Sequence, residues 1–140
     1  MISVRVEATG KRKNRSMNVL AIVVAAGAAF VASLVWYTVF GNAMMKLSEA
    51  ADTGASVWTM LFVIVQSLVV AFMVAYFVGS LGVSDWRGAV GVGALLWIFP
   101  FLILLGAVVH ENVPLMLAAI HAGDWLVKLL LITVIVGVWR

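Results

Sequence analysis

The sequence predicts an all-α membrane protein, a polytopic chain whose four transmembrane helices form an up-down bundle. Three observations lead there. Apolar residues make up 65% of the 140 residues and charged residues only 11%, whereas soluble domains run nearer half apolar and a quarter charged. Four uncharged or nearly uncharged stretches each exceed twenty residues, long enough to cross about 30 Å of hydrocarbon as helix. None of them alternates with period two. In lipid only helices and closed barrels satisfy every backbone polar group, so these stretches read as helices rather than barrel strands.

Residues 1–17 form a basic tail carrying Arg5, Lys11, Arg12, Lys13 and Arg15. Beside a membrane span such a tail reads as a cytoplasmic segment that meets anionic lipid headgroups. Nucleic-acid binding is set aside, because no aromatic interleaving or reader motif accompanies the charges. Asn18 can cap the first span, over residues 18–40, by accepting from an orphan helix N–H. That span is too long for a signal-peptide core and continues past its alanines, so it reads as a retained helix.

Gly41 and Asn42 are expected to end it, with a wet connection over residues 41–56 that contains Lys46, Glu49, Asp52 and Gly54. Part of that connection, residues 43–51, reads as a short interfacial helix. The second span, residues 57–79, has Gln66 and Ser67 near its middle and Trp58 and Tyr76 toward its ends. A tight turn with Gly82, Asp85 and Arg87 leads to the third span, residues 88–109, where Pro100 is expected to introduce a kink. A second turn with Glu111 and Pro114 leads to the fourth span, residues 115–139. Short turns predict antiparallel packing of neighbours in sequence.

Orientation follows from the basic residues. With the N-terminus inside, seven of them (the tail's five, Arg87 and Arg140) lie on the cytoplasmic side against Lys46 alone outside. The positive-inside bias then places both termini in the cytoplasm of a multi-pass protein.

The fourth span carries the chemistry. His121, Asp124 and Lys128 are spaced i, i+3 and i+7, within about a 60° arc of one helix face. Asp124 and Lys128 form an i, i+4 pair with the acid N-terminal, the favourable order. Lys128 falls near the membrane midplane, Asp124 about 4–5 Å outward and His121 about 9 Å outward. At the same depths lie Gln66 of the second span and Tyr37 of the first. A polar core of Tyr37, Gln66, His121, Asp124 and Lys128 is therefore geometrically possible, with Trp97 and the backbone freed by Pro100 near the middle of span three. Two readings stand: a structural ion pair that sets helix register, and a functional intramembrane site. Trp36 and Tyr37 are read first as interfacial anchors. Ala25/Ala29, Ala75/Gly79 and Ala89/Gly93 have the small-xxx-small spacing of close helix contacts.

Two further segments carry a resemblance. One is Leu34-Val35-Trp36-Tyr37-Thr38-Val39-Phe40-Gly41, followed by Met45-Lys46-Leu47. The other is Ile120-His121-Ala122-Gly123-Asp124-Trp125-Leu126-Val127, running on to Gly137-Val138-Trp139. With four spans in a chain of this size they resemble the DUF1761 family of membrane proteins. The resemblance implies a four-helix membrane fold and bacterial origin, hence the bacterial cytoplasmic membrane, and brings no activity with it. The last span departs from the family's Asn-Ala-Gly-Tyr-His type of pattern: His121 stands at the Asn, and Asp124-Trp125 stand where Tyr and a polar residue are expected. Lys128 is a further departure.

Other chemistry finds no support. The chain has no cysteine, so thiolate sites and disulfides are excluded. Gly88, Gly91 and Gly93 lack the Lys-Ser/Thr of a phosphate loop, and His110 and His121 do not converge as haem ligands. No nucleophile–base pair, metal triad or cofactor motif is present, which ranks an enzyme last. The leading expectation is a structural or interaction protein that self-associates or packs in a membrane complex. The alternative is an oligomeric transporter or proton-coupled protein built on His121, Asp124 and Lys128.

Overall fold

The computed structural model describes residues 17–48 and 56–139. They form four helices, α1 (Val19–Leu47), α2 (Val57–Ser80), α3 (Trp86–Glu111) and α4 (Leu115–Val138), with no strand among the described residues. Each is long and apolar enough to cross a membrane. Residues 1–16 of the basic tail, Glu49, Asp52 and Gly54 of the expected wet connection, and Arg140 lie outside the described residues.

Local chemistry sets the helix ends. Asn18 Oδ1 accepts from Ala21 N at 3.2 Å, Ser56 caps α2 through Thr59 N, and Asp85 caps α3 through Gly88 N. Each satisfies a donor that the first helical turn leaves without a partner. At the end of α2 the chain turns through Gly82 at φ +68°, and Val83 N reaches back to Val78 O at 3.2 Å. This left-handed step suits glycine and ties off a carbonyl of the last turn.

One boundary differs from expectation. Gly41 and Asn42 do not end α1, which continues to Leu47, so the separate interfacial helix is not formed over the described part of residues 43–51. The good helix formers Ala43, Met44, Met45, Lys46 and Leu47 follow, and the cost of a glycine within a helix is only about 1 kcal/mol. At 29 residues, α1 is about 43 Å long and outreaches the hydrocarbon layer. Pro100 lies inside α3, whose helix runs on past it to Glu111.

Packing is centred on α4. It touches α1, α2 and α3, and α1 also packs on α2. By contrast α2 and α3, although joined by a tight turn, do not pack along one another, so α3 is held by α4. Small residues explain this arrangement. An α4 surface of Ala118, Ala122, Gly123, Thr133 and Gly137 lets partners approach from several sides. On α1, buried Ala25, Ala26 and Ala29 lie in the core with Leu129, Ile132 and Val136 of α4. Ala89 is fully buried, and a Cβ placed on Gly93 would lie 2.6 Å from Thr133 Oγ1. The Ala75/Gly79 pair differs: Gly79 is exposed and open, and the buried stripe of α2 is Ser67, Ala71, Val74 and Val78.

Candidate functional site in the membrane interior

The α4 spacing puts Asp124 and Lys128 one turn apart, and their side chains meet at 2.8 Å (Nζ to Oδ2). Both residues are buried, Asp124 being only 2% exposed. A charge at such a depth is costly unless paired and hydrogen-bonded, and α1 supplies the rest of the pairing. Ser33 Oγ donates to Asp124 Oδ1 at 2.6 Å, and Tyr37 OH donates to Oδ2 at 3.2 Å. Three donors therefore converge on one carboxylate.

Tyr37 also joins His121, its hydroxyl lying 2.9 Å from Nδ1. A tyrosine has one hydroxyl proton. If it goes to Asp124, the oxygen accepts from His121 Nδ1–H and Nε2 is the unprotonated nitrogen. If it goes to Nδ1, the oxygens of Tyr37 and Asp124 need a proton on the acid. The second arrangement places the imidazole proton on Nε2 and holds one proton more than the first, unless Lys128 supplies it to Asp124 across their contact.

Two tryptophans hold α4 from opposite sides. Trp36 Nε1 donates to Ile120 O at 3.0 Å, and Trp97 Nε1 donates to Ala122 O at 2.7 Å. Trp36 is thus turned inward onto α4 rather than standing as an interfacial anchor. Gly123 makes room for it: a Cβ there would run into the Trp36 ring. The ammonium of Lys128 lies 5.5 Å from the centroid of the Trp125 ring, within cation–π range.

The cluster lines a cavity of about 650 Å³ between α1, α2 and α4 that opens to the surface of the bundle. Apolar side chains such as Phe30, Leu34, Met60 and Val63 make its walls. Toward the end of the bundle where α1 finishes and α2 begins it is lined by Met44, Met45 and Thr59. Gln66 lines the same cavity but is not among the hydrogen-bonding partners of Asp124 or Lys128. Of the five residues expected in a polar core, the structure joins Tyr37, His121, Asp124 and Lys128 directly and sets Gln66 across the cavity from them.

Ser33 was absent from that expectation. A signal for it exists, since Ala26, Ala29, Ser33 and Tyr37 recur at helical spacing along one face of α1. His110 is exposed at the end of α3, away from the cluster. Among the described residues no group of three His, Cys, Asp or Glu could hold a metal ion.

Fold and site together define a membrane protein of four apolar helices with a buried acid–base cluster lining a cavity. Residues 20–137 match the family model described as "Protein of unknown function (DUF1761)", and the chain belongs to that family. No curated protein and no solved structure matches it.

Proposed function

We propose that the protein binds a small molecule inside the membrane and couples that binding to proton movement through His121, Tyr37 and Asp124. One observation carries the reading. Groups able to exchange protons, joined by contacts of 2.9 and 3.2 Å, line a cavity of about 650 Å³, a volume typical of small-ligand sites. Ionisable side chains at this depth are functional candidates by default. In an oligomer, neighbouring copies could extend the cavity into a path for transport.

A second reading keeps its own support. Asp124 accepts from three donors, and no buried side-chain polar atom among the described residues lacks a partner. Such completeness suits an ion pair that fixes the register of α4 against α1 in a structural or interaction component.

The membrane setting belongs to the same proposal. Arg87 lies in the first turn of α3, at the end of the bundle where α1 begins, and Lys46 in the last turn of α1; four crossings would put Arg140 and the tail residues Arg5, Lys11, Arg12, Lys13 and Arg15 on the side of Arg87. This bias supports cytoplasmic termini in a bacterial cytoplasmic membrane, with the tail on anionic headgroups.

Imidazole nitrogen signals distinguish the two readings, because the chain has only two histidines. In lipid nanodiscs, proton exchange at the cluster predicts that the His121 signal changes within the pH range over which the fold is kept, and that Tyr37→Phe or Asp124→Asn alters this change. The paired replacement Asp124→Asn with Lys128→Met then keeps the helical fold and abolishes any proton-linked activity. A His121 signal that is constant over that range, or indifferent to Tyr37, would leave the structural reading.

A further inference from the structure

We infer that the cavity is built for a small amphipathic carboxylic acid, a molecule with an acceptor head and an apolar body. The inference rests on reading the cavity as a binding site and adds the class of ligand. It starts from what the cluster has left to offer. Both oxygens of Asp124 are occupied, Oδ1 by Ser33 and Oδ2 by Tyr37 and Lys128, so the carboxylate has little capacity to receive a ligand's donor or cation. Lys128 has three N–H donors, and among the described residues its ion-pair partner is Asp124 alone. Its side chain keeps 10% of its surface exposed and lines the cavity. Gln66 adds an amide from α2. The remaining N–H donors of Lys128 select an acceptor head, and the Gln66 amide offers both a donor and an acceptor beside it. The walls select an apolar body.

Charge balance selects an acid over a permanent anion. Lys128 and Asp124 cancel, so an added carboxylate would leave a net negative charge in the membrane interior. His121 supplies the balance. With Nδ1–H given to Tyr37, Nε2 has no partner among the described residues. An acid that enters neutral can transfer its proton to Nε2, leaving a carboxylate beside Lys128 and an imidazolium on His121. Among the described residues no other group is placed to take that role: α1 presents Tyr37, α4 presents Asp124 and Lys128, α2 lines the cavity with the non-titrating Thr59 and Gln66, and α3 contacts this part of α4 through Trp97.

Gly41 provides the test. It lines the cavity, and a Cβ built there meets nothing within 4 Å, so Gly41→Leu has room at its Cβ to extend toward the cavity. Calorimetric titration of the full chain in nanodiscs would compare octanoate, octanol and octylammonium, each corrected against empty discs. The expected result is saturable octanoate binding, weakened about tenfold or more (about 1.4 kcal/mol) in Gly41→Leu, weaker binding of octanol, and none of octylammonium. Bound octanoate should also move the His121 signal to that of the imidazolium. Thr38→Phe, at a second lining position, replaces Gly41→Leu if that variant loses helical content. If octanol or octylammonium binds as tightly as octanoate and Gly41→Leu blocks it, the ligand class is overturned and the cavity reading survives. If no probe saturates, or the filled variants bind like the parent, both are overturned.

Discussion

The two sides of α4 are built on opposite plans. Toward α3 the packing is dense: Gly93 backs onto Thr133, a Cβ on Gly137 would lie 3.0 Å from that of Ala89, and Trp97 closes onto the Ala122 carbonyl. Toward α1 and α2 the same helix presents His121, Asp124 and Lys128 to a cavity. The α3 side has no room for an added methyl group at Gly93 or Gly137; the α1 side is as close at Gly123, where Trp36 packs, but leaves space at Gly41. Water is scarce around such a bundle, and lipid tails are as apolar as the core. Helix association therefore depends on close van der Waals contact and interhelical hydrogen bonds more than on the hydrophobic effect. The α3 side relies mainly on the first, whereas the α1 side divides the two: Ala25, Ala26 and Ala29 pack closely on Leu129, Ile132 and Val136 in one half of the bundle, and hydrogen bonds gather around Asp124 in the other, which is how a cavity can exist next to a helix held firmly in place.

That contrast can be broken at four points, in descending order of effect. Asp124→Ala leaves the ammonium of Lys128 buried without its counter-ion, and such a loss typically costs about 3–5 kcal/mol. Unfolding midpoints in mixed micelles should fall accordingly, and Asp124→Asn with Lys128→Met should recover most of the loss. A single variant as stable as the parent would mean that Lys128 escapes to water. Next comes the dense side, where Gly93→Ala forces Thr133 aside and should cost about 1–3 kcal/mol, with little change at the His121 nitrogens. Replacing Trp36 by Phe removes the bond to Ile120 O and should cost about 0.6–2 kcal/mol. The same change should perturb the His121 signal more than Gly93→Ala does, because Trp36 precedes Tyr37 on α1. Smallest is Gly41→Ala on the open side, which should be neutral or stabilising by up to about 1 kcal/mol, from helix propensity alone. Equal losses for Gly41→Ala and Gly93→Ala would remove the distinction between the two sides.

The peripheral position of α3 bears on the order of disassembly. Since α3 is held by α4 and is the least buried of the four spans, opening of the dense side should free it before α1 and α2 separate. Hydrogen exchange in nanodiscs should then show Gly93→Ala loosening α3 while α1 keeps its protection.

What the amino-acid sequence determined by itself was the medium and the count. Runs of more than twenty apolar residues oblige the backbone to satisfy its own polar groups, and that requirement is local, so four helices could be read without any knowledge of their neighbours. The Asp124–Lys128 pair was legible for the same reason, since both residues lie on one helix and helical spacing places them together. Tyr37 could be matched to His121 by depth, because rise per residue is constant along a span. Rotation and order of helices are another matter. Depth alone made Gln66 as good a partner for Asp124 as anything on α1, and only the packing of Ala25, Ala26 and Ala29 against α4 brought Ser33 to the carboxylate instead. The same rotation turned Trp36 inward and left Gly79 open, although their sequence surroundings suggested an anchor and a helix contact. Lipid gives every apolar face nearly the same energy, so the choice among faces falls to contacts between distant residues, and those exist only once the bundle has formed.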